Sequence, residues 1–224
     1  MVAADSFEVI VYGRGGHGAY PQDCIDPVLI ASYIIVRLQS IVSRVAAPSD
    51  AVVLTCGSIH GGDTENVIPD EVKIKINIRT YDRAVREKVL KSMKQIINSE
   101  CEASQTPKPP SITQISQFPL TDNNQSTVDA LTKTWQGHFN QNLSTQAILP
   151  GSEDIFNLAK PNNTPYAYWF FGGTDAKQWD EAEKNNTVAL LPRNHSAKFA
   201  PAIQPTLKTG TDALSLAALT FLCT

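Results

Sequence analysis

Two histidines sit where an imidazole could do chemistry. His195 lies in Asn194-His-Ser196, a polar stretch just ahead of an apolar, helix-patterned C-terminal segment. A neutral imidazole there is a competent donor to zinc, manganese or cobalt. His17 lies in Gly13-Arg-Gly-Gly-His-Gly18. Glycines on both sides let the backbone bring its ring close to a substrate, where a ring N–H can stabilise developing negative charge. Each has a plainer account as well: a solvated loop histidine for His195, and a tight loop after a strand for His17. Residue type alone does not choose between them.

A second group could grip a small anion. Arg79 ends an amphipathic run, and a guanidinium fork matches a carboxylate. It could equally be an ordinary surface charge. Asn66, three residues before Pro69, could hydrogen-bond a ligand or simply make a turn. Glu153 and Asp154 open a helical segment, where carboxylates suit the positive end of the dipole without any further role. The cysteines Cys24, Cys56, Cys101 and Cys223 are widely spaced and form no CxxC pair, which suits reduced thiols better than a zinc ribbon or a disulfide framework.

The elements that must position these residues alternate clearly in the first half. A β-rich run at 7–12 is ended by glycines. Asp26-Pro27 supplies an N-cap and a first-turn proline, and the stripe Ile30, Ile34, Leu38, Ile41 and Val45 predicts a helix. A strand at 51–59 is closed by Gly61-Gly62. Residues 71–79 alternate strictly, with Val72, Ile74, Ile76 and Ile78 on one face and Lys73, Lys75, Asn77 and Arg79 on the other. Asp82 caps a second helix with the stripe Val85, Val89, Met93, Ile96 and Ile97. After Pro107-Lys-Pro-Pro110 comes a strand at 111–118. The order β-α-β-β-α-β predicts a ferredoxin-like sheet with two helices on one face.

Past Thr121 the pattern thins. It reads as a helix at 126–138, an apolar segment at 147–149, a brief helix opened by residues 151–154, and an aromatic strand at 166–171. A polar loop runs to about 200, and a last helix packs Ile203, Leu207, Leu214 and Phe221. One or two strands with three helices cannot cover both faces of a sheet, so this reads as part of an α/β domain whose remainder is elsewhere. Residues 5–117 form the first domain in this reading and 118–224 the second.

Composition sets outer limits. The chain has 224 residues, 42% hydrophobic and 18% charged, with net charge −3. That is an ordinary globular balance with no footprint for nucleic acid or an anionic membrane. No basic n-region and apolar stretch mark a secretory signal, and no apolar run is expected to reach membrane-spanning length. A cytoplasmic location is the expectation.

Six motifs in order carry a resemblance. They are Gly13-Arg-Gly-Gly-His-Gly-Ala-Tyr-Pro21 with Asp26-Pro27, Leu38-Gln39 and Ser43-Arg44; Thr64-Glu-Asn-Val-Ile-Pro-Asp70; Ile78-Arg-Thr80; Gly151-Ser-Glu-Asp154; Phe170-Phe-Gly-Gly173; and Asn194-His-Ser196. Together they resemble the lid and the C-terminal catalytic part of the two-metal amidohydrolase and aminoacylase metallopeptidases, in the branch of hippurate and indole-acetyl-amino-acid hydrolases. The resemblance implies hydrolysis of N-acyl amino acids or related small amides at two divalent ions, zinc or manganese, or else cobalt or nickel. It implies that His195 binds metal, that His17 stabilises the oxyanion, that Asn66 and Arg79 hold the substrate carboxylate, and that Glu153 lies at the site floor. It also implies a homodimer formed through the lid. Gln22 stands where relatives often have histidine, which excludes a titrating role there. Ala197 replaces the usual proline. The family's other metal ligands and its catalytic glutamate lie ahead of the lid, and this sequence starts just before it. The expectation is therefore that these residues alone are inactive and that a further segment completes the site. The alternative is a non-catalytic dimerisation or binding fragment.

Overall fold

A computed structural model describes residues 1–140, 143–145 and 149–222 of the chain. Contacts divide it into two units, Met1–Asp122 with Gln146–Thr164, and Asn123–Thr145 with Pro165–Thr224. The sequence boundary falls between 117 and 118. By contacts the first unit runs slightly further and takes in a later segment as well.

In the first unit, β1 (Ala3–Tyr12), β3 (Val52–His60), β5 (Glu71–Thr80) and β6 (Ser111–Phe118) form one antiparallel sheet in the order β3-β5-β1-β6. A two-residue pair, β2 (Gly16–His17) with β4 (Val67–Ile68), stands apart from it. The helices are α1 (Pro27–Ser40), continued by a π turn to Val45, and α2 (Arg83–Ala103). The ferredoxin-like expectation is met. Alternation explains the layering: Phe7, Val9 and Val11 of β1 and Ile74, Ile76 and Ile78 of β5 all point at the helices. There they meet Ile34 and Leu38 of α1 and Val89, Met93 and Ile97 of α2, and each such side chain contributes roughly 1.5–3 kcal/mol by leaving water. Both expected caps form, Asp26 accepting from the Val28 N–H at 2.8 Å and Asp82 from the Val85 N–H at 2.9 Å.

β1 starts at Ala3, four residues earlier than the β-rich run suggests. The obstacle to reading this from sequence is Asp5, a poor strand former that here points into the helix-covered face and is fully buried. Its charge is met locally. Arg86 on α2 donates from Nε and Nη2 to the two carboxylate oxygens at 2.7 Å each, and Gln114 on β6 donates from Nε2 at 2.7 Å.

One sequence expectation fails in this unit. The helical stretch Pro27–Val45 is long and apolar enough to cross a membrane by length and composition. Its inner face is core, yet Leu29, Tyr33 and Val36 leave the outer face apolar too.

In the second unit, α3 (Gln125–Phe139) packs on α6 (Ile203–Leu222). The Trp135 Nε1–H donates to the Ala213 carbonyl at 3.3 Å, and the Trp135 ring meets Trp169 edge-on at 5.0 Å. Hydrogen bonds from Lys208 and then His138 hold the Asp212 carboxyl below its usual range. Three expectations change here. Residues 166–171 form no strand, because no described residue completes a ladder with them. The expected packing stripe of α6 is exposed instead: Gly210 and Ala213 are its buried residues, since small side chains are what let α6 approach its neighbours. A helix, α5 (Ala176–Lys184), occupies the expected polar loop; with Ala182 its only buried residue, it carries almost no apolar signal. Residues 147 and 148 of the expected apolar segment, and Cys223, lie outside the described residues.

Replacing Arg86 with Met should cost about 3–5 kcal/mol of stability by stranding a buried carboxylate. Urea unfolding should show much less loss for the double change Asp5→Leu with Arg86→Met; equal losses would mean that the pair is not what holds α2.

Candidate functional site

The glycine-rich loop after β1 and the turn before β5 are stitched together by their backbones. The Gly13 N–H donates to the Asp70 carbonyl at 2.7 Å, the Gly15 N–H to Asp70 Oδ1 at 2.9 Å, and the Gly18 N–H to the Asn66 carbonyl at 2.8 Å. Arg14 and Ile25 exchange a further pair of backbone bonds. The approach is close enough to require glycine: a Cβ on Gly15 would stand 2.7 Å from the Ile68 carbonyl oxygen. The result puts His17 opposite Val67 and next to Asn66 in register, so the structure brings these two sequence candidates together.

His17 is exposed, and its ring is oriented by its own loop. The Ala19 N–H donates to His17 Nδ1 at 3.0 Å, and Tyr20 lies edge-on to the ring at 6.0 Å between centroids. With Nδ1 accepting, a neutral ring carries its proton on Nε2. His17 therefore presents an N–H donor rather than a base. Asn66 sits in the turn that follows Thr64, whose carbonyl accepts from the Val67 N–H at 3.3 Å. A cleft of about 430 Å³ opens beside Gly18 and Asn66, and Asp26, Asp63 and Glu65 also line it. Asn66 can donate to a carboxylate there, but those acidic neighbours mean that the compensating positive charge must come from outside the cleft.

Arg79 lies on the sheet face away from the helices, half-buried, and one arm of its fork donates to the Pro150 carbonyl at 2.7 Å. Glu153 is half-buried just before α4 (Ile155–Ala159). Asp154 occupies the N-cap position of that helix without a side-chain cap bond, so capping does not account for this acidic pair.

In the second unit His195 is exposed, with a left-handed backbone at φ 70°. That conformation is uncommon for a side chain other than glycine, and a cost of order 1–3 kcal/mol persists only where surroundings impose it. They do so here: the Ser196 N–H closes on the Arg193 carbonyl at 2.9 Å, and the Phe199 N–H on that of Ser196 at 3.0 Å. The Phe199 ring lies against Gly173, and the Ala202 N–H donates to the Gly173 carbonyl at 2.8 Å. The Phe170-Phe-Gly-Gly173 and Asn194-His-Ser196 motifs thus fold onto one another.

The described residues contain no group of three or more His, Cys, Asp or Glu side chains arranged to hold a metal ion. On these donors a pair of divalent ions does not fit; His195 offers one nitrogen. The thiols add nothing, since burial, with the Glu100 charge second, pushes Cys101 up to about 11, and burial raises Cys56 as well. Sequence reasoning missed the Asp70 side chain that anchors Gly15; its place in the Thr64–Asp70 motif was the available signal.

Comparison with known proteins adds the context. Residues 3–105 match the family model of the peptidase dimerisation domain. The chain is 29% identical over 222 residues to thermostable carboxypeptidase 2 of Saccharolobus solfataricus, covering 99% of this chain and 52% of the relative. It is 32% identical over 171 residues to the hippurate hydrolase of Campylobacter jejuni, covering 75% of this chain and 44% of that one. Among solved structures, a dinuclear metal-binding peptidase of the M20 family from Bacillus subtilis superposes with a TM-score of 0.68 at 18% identity, over 98% of this chain and 50% of that chain. At that identity the likeness speaks for the fold alone. The chain spans about half the length of the curated relatives it matches.

Gly15→Ala should break the stitched loops without unfolding the sheet. Hydrogen exchange at the Gly18 amide should quicken by at least about tenfold while the β5 amides keep their protection; unchanged Gly18 exchange would show that the loops do not depend on each other.

Proposed function

We propose, since residues 3–105 of this chain belong to the peptidase dimerisation-domain family of the M20 hydrolases, that the chain is the lid and C-terminal catalytic part of a metal-dependent amidohydrolase. Its substrates are N-acyl amino acids or related small amides. Among the relatives are hydrolases and a carboxypeptidase. The observation that carries the reading is the His17 ring. A donor N–H held on a glycine loop beside Asn66 is the equipment for binding an acyl-amino acid and meeting the charge that builds on its amide oxygen.

In this reading His17 donates from Nε2 to the developing oxyanion. Asn66 and the free arm of Arg79 hold the carboxylate, and Glu153 belongs to the floor. His195 supplies one nitrogen to a pair of divalent ions, zinc or manganese, which polarise the amide and activate water when bound. The remaining ligands belong to polypeptide outside these residues. One donor cannot hold such a centre, because affinity comes from several ligands fixed together, so the 224 residues by themselves are inactive. That same observation supports the second reading, a non-catalytic dimerisation fragment.

The partner of the lid is a second copy. Leu29, Tyr33 and Val36 form an apolar outer stripe on α1, with Val36 72% exposed, and β3 leaves a free sheet edge beside it.

Purified chain with added manganese or zinc should not turn over N-acetyl or N-benzoyl amino acids. Metal-dependent turnover abolished by His195→Ala would mean that these residues complete a site by themselves. In an active assembly containing this chain, His17→Ala should lower kcat by about 10²–10³; an unchanged kcat would remove the oxyanion role. Light scattering should report a dimer that Val36→Glu converts to monomer, and a dimer surviving that change would put the interface elsewhere.

A further inference from the structure

The second unit carries a surface built to be covered. Tyr166 and Tyr168 turn their backbones toward Asn123 and Asn124: the Tyr166 carbonyl accepts from the Asn124 N–H at 2.9 Å, and the Tyr168 N–H donates to Asn123 Oδ1 at 2.7 Å. Alternate residues of an extended segment address opposite edges. Ala167, Trp169 and Phe171 therefore address the other edge, and no described residue pairs with it. Beside it lies α6. The Phe171 ring sits on Gly210, where an added Cβ would be 3.0 Å away. Leu207 and Leu214, three residues before and four after Gly210, share that face and remain 62% and 59% exposed. Phe221 continues the row one heptad on, and Phe170 is exposed beside Phe171. A free strand edge flanked by a row of large apolar side chains is the half-built side of a sheet layer.

We infer that this surface is the docking face for a second polypeptide segment, one that adds a β-strand to the free edge of 166–171 and lays apolar side chains over Leu207 and Leu214. The occupant is the stretch corresponding to the part of the relatives that this chain does not match, whether it is joined to this chain or separate. Two observations select it over a second copy. Relatives that match this chain over nearly its whole length are about twice as long. A second copy already has its own apolar face on α1, in the other unit. The inference extends the reading above by naming where the remaining polypeptide binds.

The probe is the portion of the S. solfataricus carboxypeptidase outside the match, expressed separately and mixed with this chain, or fused ahead of it. Hydrogen exchange followed by mass spectrometry should show the amides of Ala167, Trp169 and Phe171 slowed by about a hundredfold or more on addition of the folded probe. Leu214→Glu should abolish that slowing while the β5 amides stay protected, which shows that the variant is folded. Unchanged exchange with a probe folded by circular dichroism would overturn the inference. So would protection in the unmixed chain that tracks dimer formation, since a second copy would then be the occupant. Protection without any hydrolysis would leave the docking face standing and remove the activity reading instead.

Discussion

Tyr12 pairs with Glu71 at the end of the β1–β5 ladder, and that one register determines what the lid can present. The glycine-rich loop leaves β1 directly after Tyr12, and the Thr64–Asp70 turn enters β5 directly before Glu71. Two stretches some fifty residues apart are therefore delivered side by side, close enough for Gly13 to reach Asp70 and Gly18 to reach Asn66. The register is in turn held by burial. A slip of one residue would turn Ile74, Ile76 and Ile78 to water and Lys75 and Asn77 into the core, which the apolar face does not permit. The chemistry of His17 thus rests on isoleucines that never touch a ligand.

The same ladder explains why a charge is buried at its other end. Asp5 lies in the row of β1 that faces the helices, where an apolar residue would pack at least as well. What the carboxylate adds is direction. Its two oxygens take both arms of Arg86 from α2 and the amide of Gln114 from β6, so one side chain ties a helix and an edge strand to the strand between them. Leucine at that position would accept many helix placements, whereas a bidentate fork accepts very few.

The lid was legible in sequence because its signals agree. The strict alternation of residues 71–79, the two aspartate caps and the 3.6-residue stripes all point to one fold, and caps and strands fall within a few residues of their expected places. What escaped were features in which a tertiary partner overrides local preference. Strand propensity at Asp5 is poor until Arg86 is opposite it, and nothing near Asp5 in the sequence signals an arginine eighty-one residues away. The outward apolar face of α1 escaped for another reason: periodicity identifies one buried stripe and says little about a second. Among the site candidates, the pairing of His17 with Asn66 was implied only by the resemblance. The hydrogen bond from Ala19 that sets the donor character of the His17 ring left no mark in the pattern at all.

The second unit was harder to read for a physical reason. An element shows its pattern when both of its environments, core and water, are present. In α6 the buried positions are a glycine and an alanine, and the leucines a reader would assign to the core are exposed. The segment at 166–171 has the aromatic composition of a buried strand and pairs along one edge only. These are opposite errors with one origin, since the sequence of this half is written for surroundings that the 224 residues do not contain. In the lid every large apolar row of the sheet has its helices, and local signals predict the outcome. In the second unit the rows are present and their cover is not, so the pattern describes a larger domain more faithfully than it describes the unit itself.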